Sequence, residues 1–187
     1  MDDRDGMKDR GRSLEEEWAN RWAREAVERL RTRKQDEDER RRLADTTGIR
    51  SPELLERIRA LGLDADSVGL LFLAPVVGVA AADGAVSMEE RAIVKELARN
   101  GGIHAGTHAS AVLDGWLIEP PGGATLDRML AVLRDVLAAI PDEQAREIRT
   151  RTRTALERVG RASGGLFGVG SLSRAERHFI ARVAAEV

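Results

Sequence analysis

The sequence predicts an all-α protein: a compact helical bundle with two pseudo-repeated helix–turn–helix motifs, preceded by an N-terminal helical extension. Three observations carry this. One short phrase is written twice, several segments keep a clean 3.6-residue apolar period, and no segment alternates with period two long enough to argue a strand. The first copy of the phrase is Asp83-Gly84-Ala85-Val86-Ser87-Met88-Glu89-Glu90-Arg91, and the second is Val169-Gly170-Ser171-Leu172-Ser173-Arg174-Ala175-Glu176-Arg177. Gly, an aliphatic residue, Ser, Glu and Arg recur at the same offsets. Gly supplies the positive φ that ends one helix, and the aliphatic residue packs inward. Ser caps the next helix while the Glu three positions on reaches back to the Ser N–H.

The elements follow in order. Residues 1–12 are almost wholly polar and are expected to be disordered. Ser13-Leu14-Glu15-Glu16 reads as a capping box that opens a helix. Leu14, Trp18, Trp22, Ala26 and Leu30 then recur every four residues as one narrow apolar stripe, after which charge takes over. Asp36–Arg40, Glu37–Arg41 and Asp38–Arg42 are acid-to-base pairs at i,i+4, which keep a solvated helix formed without packing. Residues 1–46 therefore read as a charged tail and helical arm, and 47–187 as the domain.

Within the domain, Ser51-Pro52-Glu53 starts a short helix that Gly62 ends. Asp66 or Ser67 opens a segment that is apolar on every face, hence central and buried, with a kink expected near Leu71 from Pro75. Its Ala74, Gly78 and Ala82 form a smooth ridge that admits a close helix neighbour. Ser87 to Asn100 places Ile93, Val94 and Leu97 inward and stops at Gly101-Gly102. Thr107 to Ile118 is a weaker helix, ended by Pro120-Pro121-Gly122-Gly123. Thr125 is expected to cap the next, where Leu126, Met129, Leu130, Leu133, Val136, Leu137 and Ile140 share a face. Pro141-Asp142 starts another with Ala145, Ile148, Thr152, Ala155, Leu156 and Val159 inward. Gly164 to Gly170 reads as a loop, and Ser173 as the cap of the last helix.

Composition narrows the function classes. The 187 residues contain no Cys, which excludes disulfides, a thiolate nucleophile and Cys-ligated metal. No Tyr and only three Phe and three Trp argue against stacking platforms for single-stranded nucleic acid. A third of the residues are charged but the net charge is only −2, so no global basic field attracts nucleic acid or membranes. The charged N-terminus has no apolar secretory core, and the uncharged run Ser67 to Ala82 falls short of a membrane span. A cytoplasmic protein is expected.

The stretch from Val79 to Arg91 resembles the signature of the tellurite-resistance TerB-like domain family. The ending from Ala162 to Arg177, with Gly164-Gly165, Gly168 and Gly170, is similar to a second signature seen in relatives. The resemblance covers about residues 52–187 and leaves the Trp helix outside. It implies an all-helical, non-enzymatic module associated with metal or stress responses. It also implies that Asp83 and Glu90, with Glu89, take part in binding a divalent cation; Val169 stands where a second such site would need an acid.

The residues by themselves leave two readings of that motif open. Asp-Gly-x-Val-Ser-x-x-Glu has the spacing of the back half of an EF-hand loop, but Val79 and Ala81 stand where the front-half ligands belong. Asp83 and Glu90 are then either two carboxylates of a weak divalent site, or an Asx-type turn and a capping-box acid. His104 and His108, four apart, suit zinc only if a third ligand such as Asp114 joins them. Arg149, Arg151 and Arg153 are flanked by Glu143, Glu147 and Glu157, as on a solvated helix face. No phosphate loop, nucleophile elbow or convergent catalytic set is visible. The Leu14, Trp18, Trp22, Leu30 stripe either docks on its own domain or binds a protein partner or a second copy. The leading expectation is a stress-associated binding or scaffold module; the alternative is a divalent-metal sensor built on the Asp83-Gly84 turn.

Overall fold

The computed structural model describes residues 3–82, 84–162, 177, 179–181 and 183, with side chains from Trp18 onward apart from residues 19 and 20. The fold is all-α, and no strand occurs among the described residues. The chain divides into two compact units, Met1–Arg41 and Arg42–Val187. The second phrase copy and its glycine loop, 163–176, lie outside the described residues.

Helix α1 spans Asp3–Thr47, so it makes up the first unit and its last turns belong to the second. The expected start at Ser13 is therefore corrected: helical backbone begins ten residues earlier. Composition that forbids burial does not forbid a helix. Lys and Arg are good helix formers, and acids at Asp3 and Asp5 favour the positive end of the helix dipole. Gly48 stops α1 at φ +72°. Its N–H donates to Ala44 O at 2.8 Å, and Leu43 and Ile49 on either side of the stop are fully buried. The Arg42 guanidinium, expected opposite Asp38, forks onto both carboxylate oxygens of Asp66 at 3.0 and 3.1 Å.

Helix α2 (Pro52–Arg59) opens as expected, with Ser51 Oγ accepting the Leu54 N–H at 3.3 Å. The apolar segment after it departs from the expected single kinked helix. A 3₁₀ turn runs Val68–Phe72 and a separate helix α3 runs Ala74–Ala80, with Pro75 in its first turn. A proline has no N–H to bond the carbonyl four residues back, so it serves better as the start of a helix than as its bend. The turn before it is capped by Asp64, which sequence reasoning passed over. Asp64 Oδ1 accepts from the Ser67 hydroxyl at 2.6 Å and from the N–H groups of Ser67 and Asp66 at 2.8 and 3.1 Å. Ser67 Oγ accepts the Asp64 N–H in return at 2.9 Å.

Helix α4 (Met88–Asn100) ends in a Schellman motif. Gly102 takes φ +88°, its N–H donates to Arg99 O at 3.1 Å, and the Ile103 N–H donates to Ala98 O at 2.9 Å. Helix α5 (His108–Ile118) is capped by Thr107 as expected. Helix α6 (Gly123–Ala139) starts at Gly122, not at Thr125. The Thr125 and Leu126 N–H groups both donate to Gly122 O, and glycine ranks close to threonine as an N-cap residue. Helix α7 (Asp142–Ala162) keeps the predicted face, with Ala145, Thr152, Ala155, Leu156 and Val159 buried. The described residues between 177 and 183 are helical.

In the second unit α3 is central. All seven of its residues are buried, and α4, α6 and α7 pack around it. The predicted inward face of α6 is buried throughout. Ion pairs tie neighbouring helices at the rim: Arg57–Asp135 (2.6 Å) for α2 and α6, Lys95–Asp114 (2.8 Å) for α4 and α5, and Arg158–Glu96 (2.9 Å) for α7 and α4. Of the expected ridge, Gly78 makes the close approach, while Ala82 lies past the end of α3 in a turn. A Cβ at Gly78 would lie 2.6 Å from Phe179 Cε1 and overlap the ring.

Two measurements check this packing. Gly78→Ala should destabilise by about 1–3 kcal/mol through overpacking, read as a lower denaturant midpoint. Combined with Phe179→Leu, the cost should be less than additive, since both changes act on one contact. Burial pushes the Asp64 carboxyl up, but the Ser67 hydroxyl, the Ser67 N–H, the His108 charge and the Asp66 N–H together hold it below its ordinary 3.8. Its stabilising contribution is thus present above that value and lost as pH falls through the lower folded pKa. Asp64→Asn should flatten the loss of stability as pH falls below about 4, followed by urea midpoints; an unchanged slope would place the acid sensitivity elsewhere.

Candidate functional site

The first candidate region is the helix–turn–helix between α3 and α4. Gly84 takes φ +106°, a conformation open to glycine, and its N–H donates to Ala81 O at 3.0 Å. Val86 is buried, so the turn is anchored to the core at the expected aliphatic position. Ser87 Oγ accepts the Glu90 N–H at 3.2 Å, and Glu90 Oε2 accepts the Ser87 N–H at 2.7 Å. Both halves of the predicted capping box are therefore formed. Arg91 closes the turn from the other side, its Nε donating to Val86 O at 3.0 Å.

This geometry places two of the three acids. Glu90 is 2% exposed and one of its oxygens is engaged in the cap. Glu89 is exposed, one helix position away and turned off the buried side. Asp83 lies outside the described residues. Among the described residues, no group of three or more His, Asp or Glu is placed to hold a metal ion. His104 and His108 are both exposed and flank the Thr107 cap, whose hydroxyl donates to His104 O at 2.7 Å. Asp114, the third ligand considered for them, is paired with Lys95. Arg149, Arg151 and Arg153 are exposed on α7, with Arg151 paired to Glu147 one turn back. His178 lies outside the described residues.

The second candidate region is the stripe on α1. Trp18, Trp22 and Leu30 are 64%, 57% and 64% exposed. Leu14 lies on the same helix, but its side chain is outside the described residues. Val27, 47% exposed, flanks the stripe. Sequence reasoning that followed only the i,i+4 spacing missed it; the i,i+3 step from Val27 to Leu30 would have found it. Met88 and Ile118 are further large apolar side chains exposed on the second unit, at 83% and 75%. They stand singly, as surface residues often do.

Compared with family models, with characterised proteins and with solved structures, the chain finds no match. No helix among the described residues is long and apolar enough to cross a membrane.

The capping box makes a two-part prediction. Ser87→Ala should cost about 1 kcal/mol through loss of the N-cap. Gly84→Val should cost more, because a β-branched residue is strained at positive φ. Denaturant midpoints unchanged by both would show that the turn is not held as described.

Proposed function

We propose that the protein is a non-enzymatic binding or scaffold module of the TerB-like kind, making protein–protein contacts through the arm in a stress-associated setting. The observation that carries the reading is the exposed Trp18, Trp22 and Leu30 stripe, flanked by Val27. Tryptophans supply large apolar area at low entropic cost, the usual composition of an interface anchor. The formed turn at Gly84, Val86, Ser87 and Glu90 supports the likeness to the TerB signature, as the motif's residues each have a structural job there. The same turn supports the capping reading of Glu90 over the ligand reading.

Trimming the chain tests this. Removal of residues 1–41 spares Leu43 and Ile49, so the remaining bundle should keep its helical circular dichroism and a cooperative melt. Trimming further, through residue 46, takes Leu43 out of the core and should cost a further 2–5 kcal/mol, roughly that of a core Leu deletion. Partner proteins that co-purify with the full chain should be lost with the 1–41 deletion and with a Trp18→Ala/Trp22→Ala double variant. A partner retained by both would place the contact on the bundle.

A further inference from the structure

We infer that α1 pairs antiparallel with α1 of a second copy of this chain, over the stripe between Trp18 and Leu30. The inference deepens the binding-module reading and rests on it, naming the partner. Two independent features of the helix point to this arrangement.

The first is size. Trp18, Trp22, Ala26 and Leu30 fall on one row of the helix at i,i+4 steps. A two-fold axis midway along that row, at the level of Arg24, sets Trp22 of one copy against Ala26 of the other, and Trp18 against Leu30. Each tryptophan meets a smaller side chain, as an interdigitated interface requires. A parallel pair in register would set Trp18 on Trp18 and Trp22 on Trp22, leaving Ala26 facing Ala26 across a gap.

The second is charge. The stripe is bounded on its N-terminal side by the acidic run Glu15-Glu16-Glu17. On its C-terminal side stands the basic run Arg31, Arg33 and Lys34. The same two-fold axis brings Glu15 to the level of Arg33 and Glu17 to the level of Arg31, at both ends of the pair. In a parallel pair each run would face its own kind. Complementary charge at the ends selects orientation and partner, while the apolar row between supplies the affinity.

Sedimentation equilibrium on the full chain should show a concentration-dependent dimer. Trp22→Glu, at an exposed position, should weaken it more than about tenfold while leaving the thermal melt of the bundle unchanged. Reversing the acidic run (Glu15→Lys, Glu16→Lys, Glu17→Lys) should also weaken it. Adding Arg31→Glu, Arg33→Glu and Lys34→Glu in the same chain should restore it. The chain has no Cys, so a nitroxide at Glu37→Cys reports orientation cleanly. The two labels should lie about 40 Å apart in the antiparallel pair, against ~10–20 Å in a parallel one. A chain that stays monomeric at hundreds of micromolar, a dimer indifferent to the charge reversal, or a short label distance would overturn the pairing. Loss of a co-purifying partner in the Trp18→Ala/Trp22→Ala variant alongside a monomeric wild type would overturn it while leaving the arm as a binding element.

Discussion

The bundle depends on how closely other helices can approach α3. Its sequence, Ala74-Pro75-Val76-Val77-Gly78-Val79-Ala80, has no long side chain and no charge, and every residue is buried. A helix this short has little stability of its own. What holds it is the apolar surface it removes from water on all sides, each fully buried valine contributing about 1.5–3 kcal/mol. Small side chains have a second consequence. At Gly78 the backbone itself forms the wall against which the Phe179 ring lies, a contact with no room for another carbon. The flanking elements then have defined tasks. The 3₁₀ turn delivers α3 to the centre, Gly84 and the Ser87–Glu90 box turn the chain out into α4, and α6 and α7 cover the remaining faces.

A central helix without polar side chains makes its ends the only places where local chemistry can direct the chain. At one end Asp64 and Ser67 bond each other's backbone N–H groups and hydroxyl, closing the turn that leads into Val68. At the other, Glu90 is almost wholly buried and yet partnered, because its carboxylate takes up the Ser87 N–H that the start of α4 leaves open. In this cap four positions of the phrase are specified: Gly84 by its φ, Val86 by burial, and Ser87 and Glu90 by their mutual hydrogen bonds.

Much of this was legible in the sequence, and the exceptions have physical causes. The faces of α6 and α7, the Ser51, Ser87 and Thr107 caps and the Gly102 stop follow from periodicity and local hydrogen bonding, which act within one turn of helix. Pro75 reads as a kink because apolar residues continue on both sides of it, although its missing N–H suits the first turn of a helix, which is where it stands. Thr125 reads as a cap because threonine is a good one, but Gly122, a comparable N-cap residue, takes that place three residues earlier. Asp64 was missed because its partner is a serine that itself looked like the cap. On α1 the i,i+4 charge spacing from Asp36 to Arg42 predicts the helix, but not that Arg42 Nη2 reaches both carboxylate oxygens of Asp66, a residue distant in sequence. The Gly84, Val86, Ser87 and Glu90 positions of the turn are legible in the sequence, while Asp83 lies outside the described residues.

The arm shows why a helix can be formed without being finished. Charged i,i+4 pairs add only a few tenths of a kcal/mol each, enough to bias a long segment toward helix but not to hide two tryptophans. Within the first unit, Trp18 and Trp22 stay largely in contact with water, and their apolar area is a standing free-energy cost. A stripe that served only local helix formation would be better made of alanine, which has higher helix propensity and exposes less. Tryptophan at two successive i,i+4 positions, with alanine at the next and leucine at the one after, has a use only where another surface covers it. In the proposed pairing, the opposed charge runs select that surface: an acidic run before the stripe and a basic run after it make the helix complementary to its own reverse.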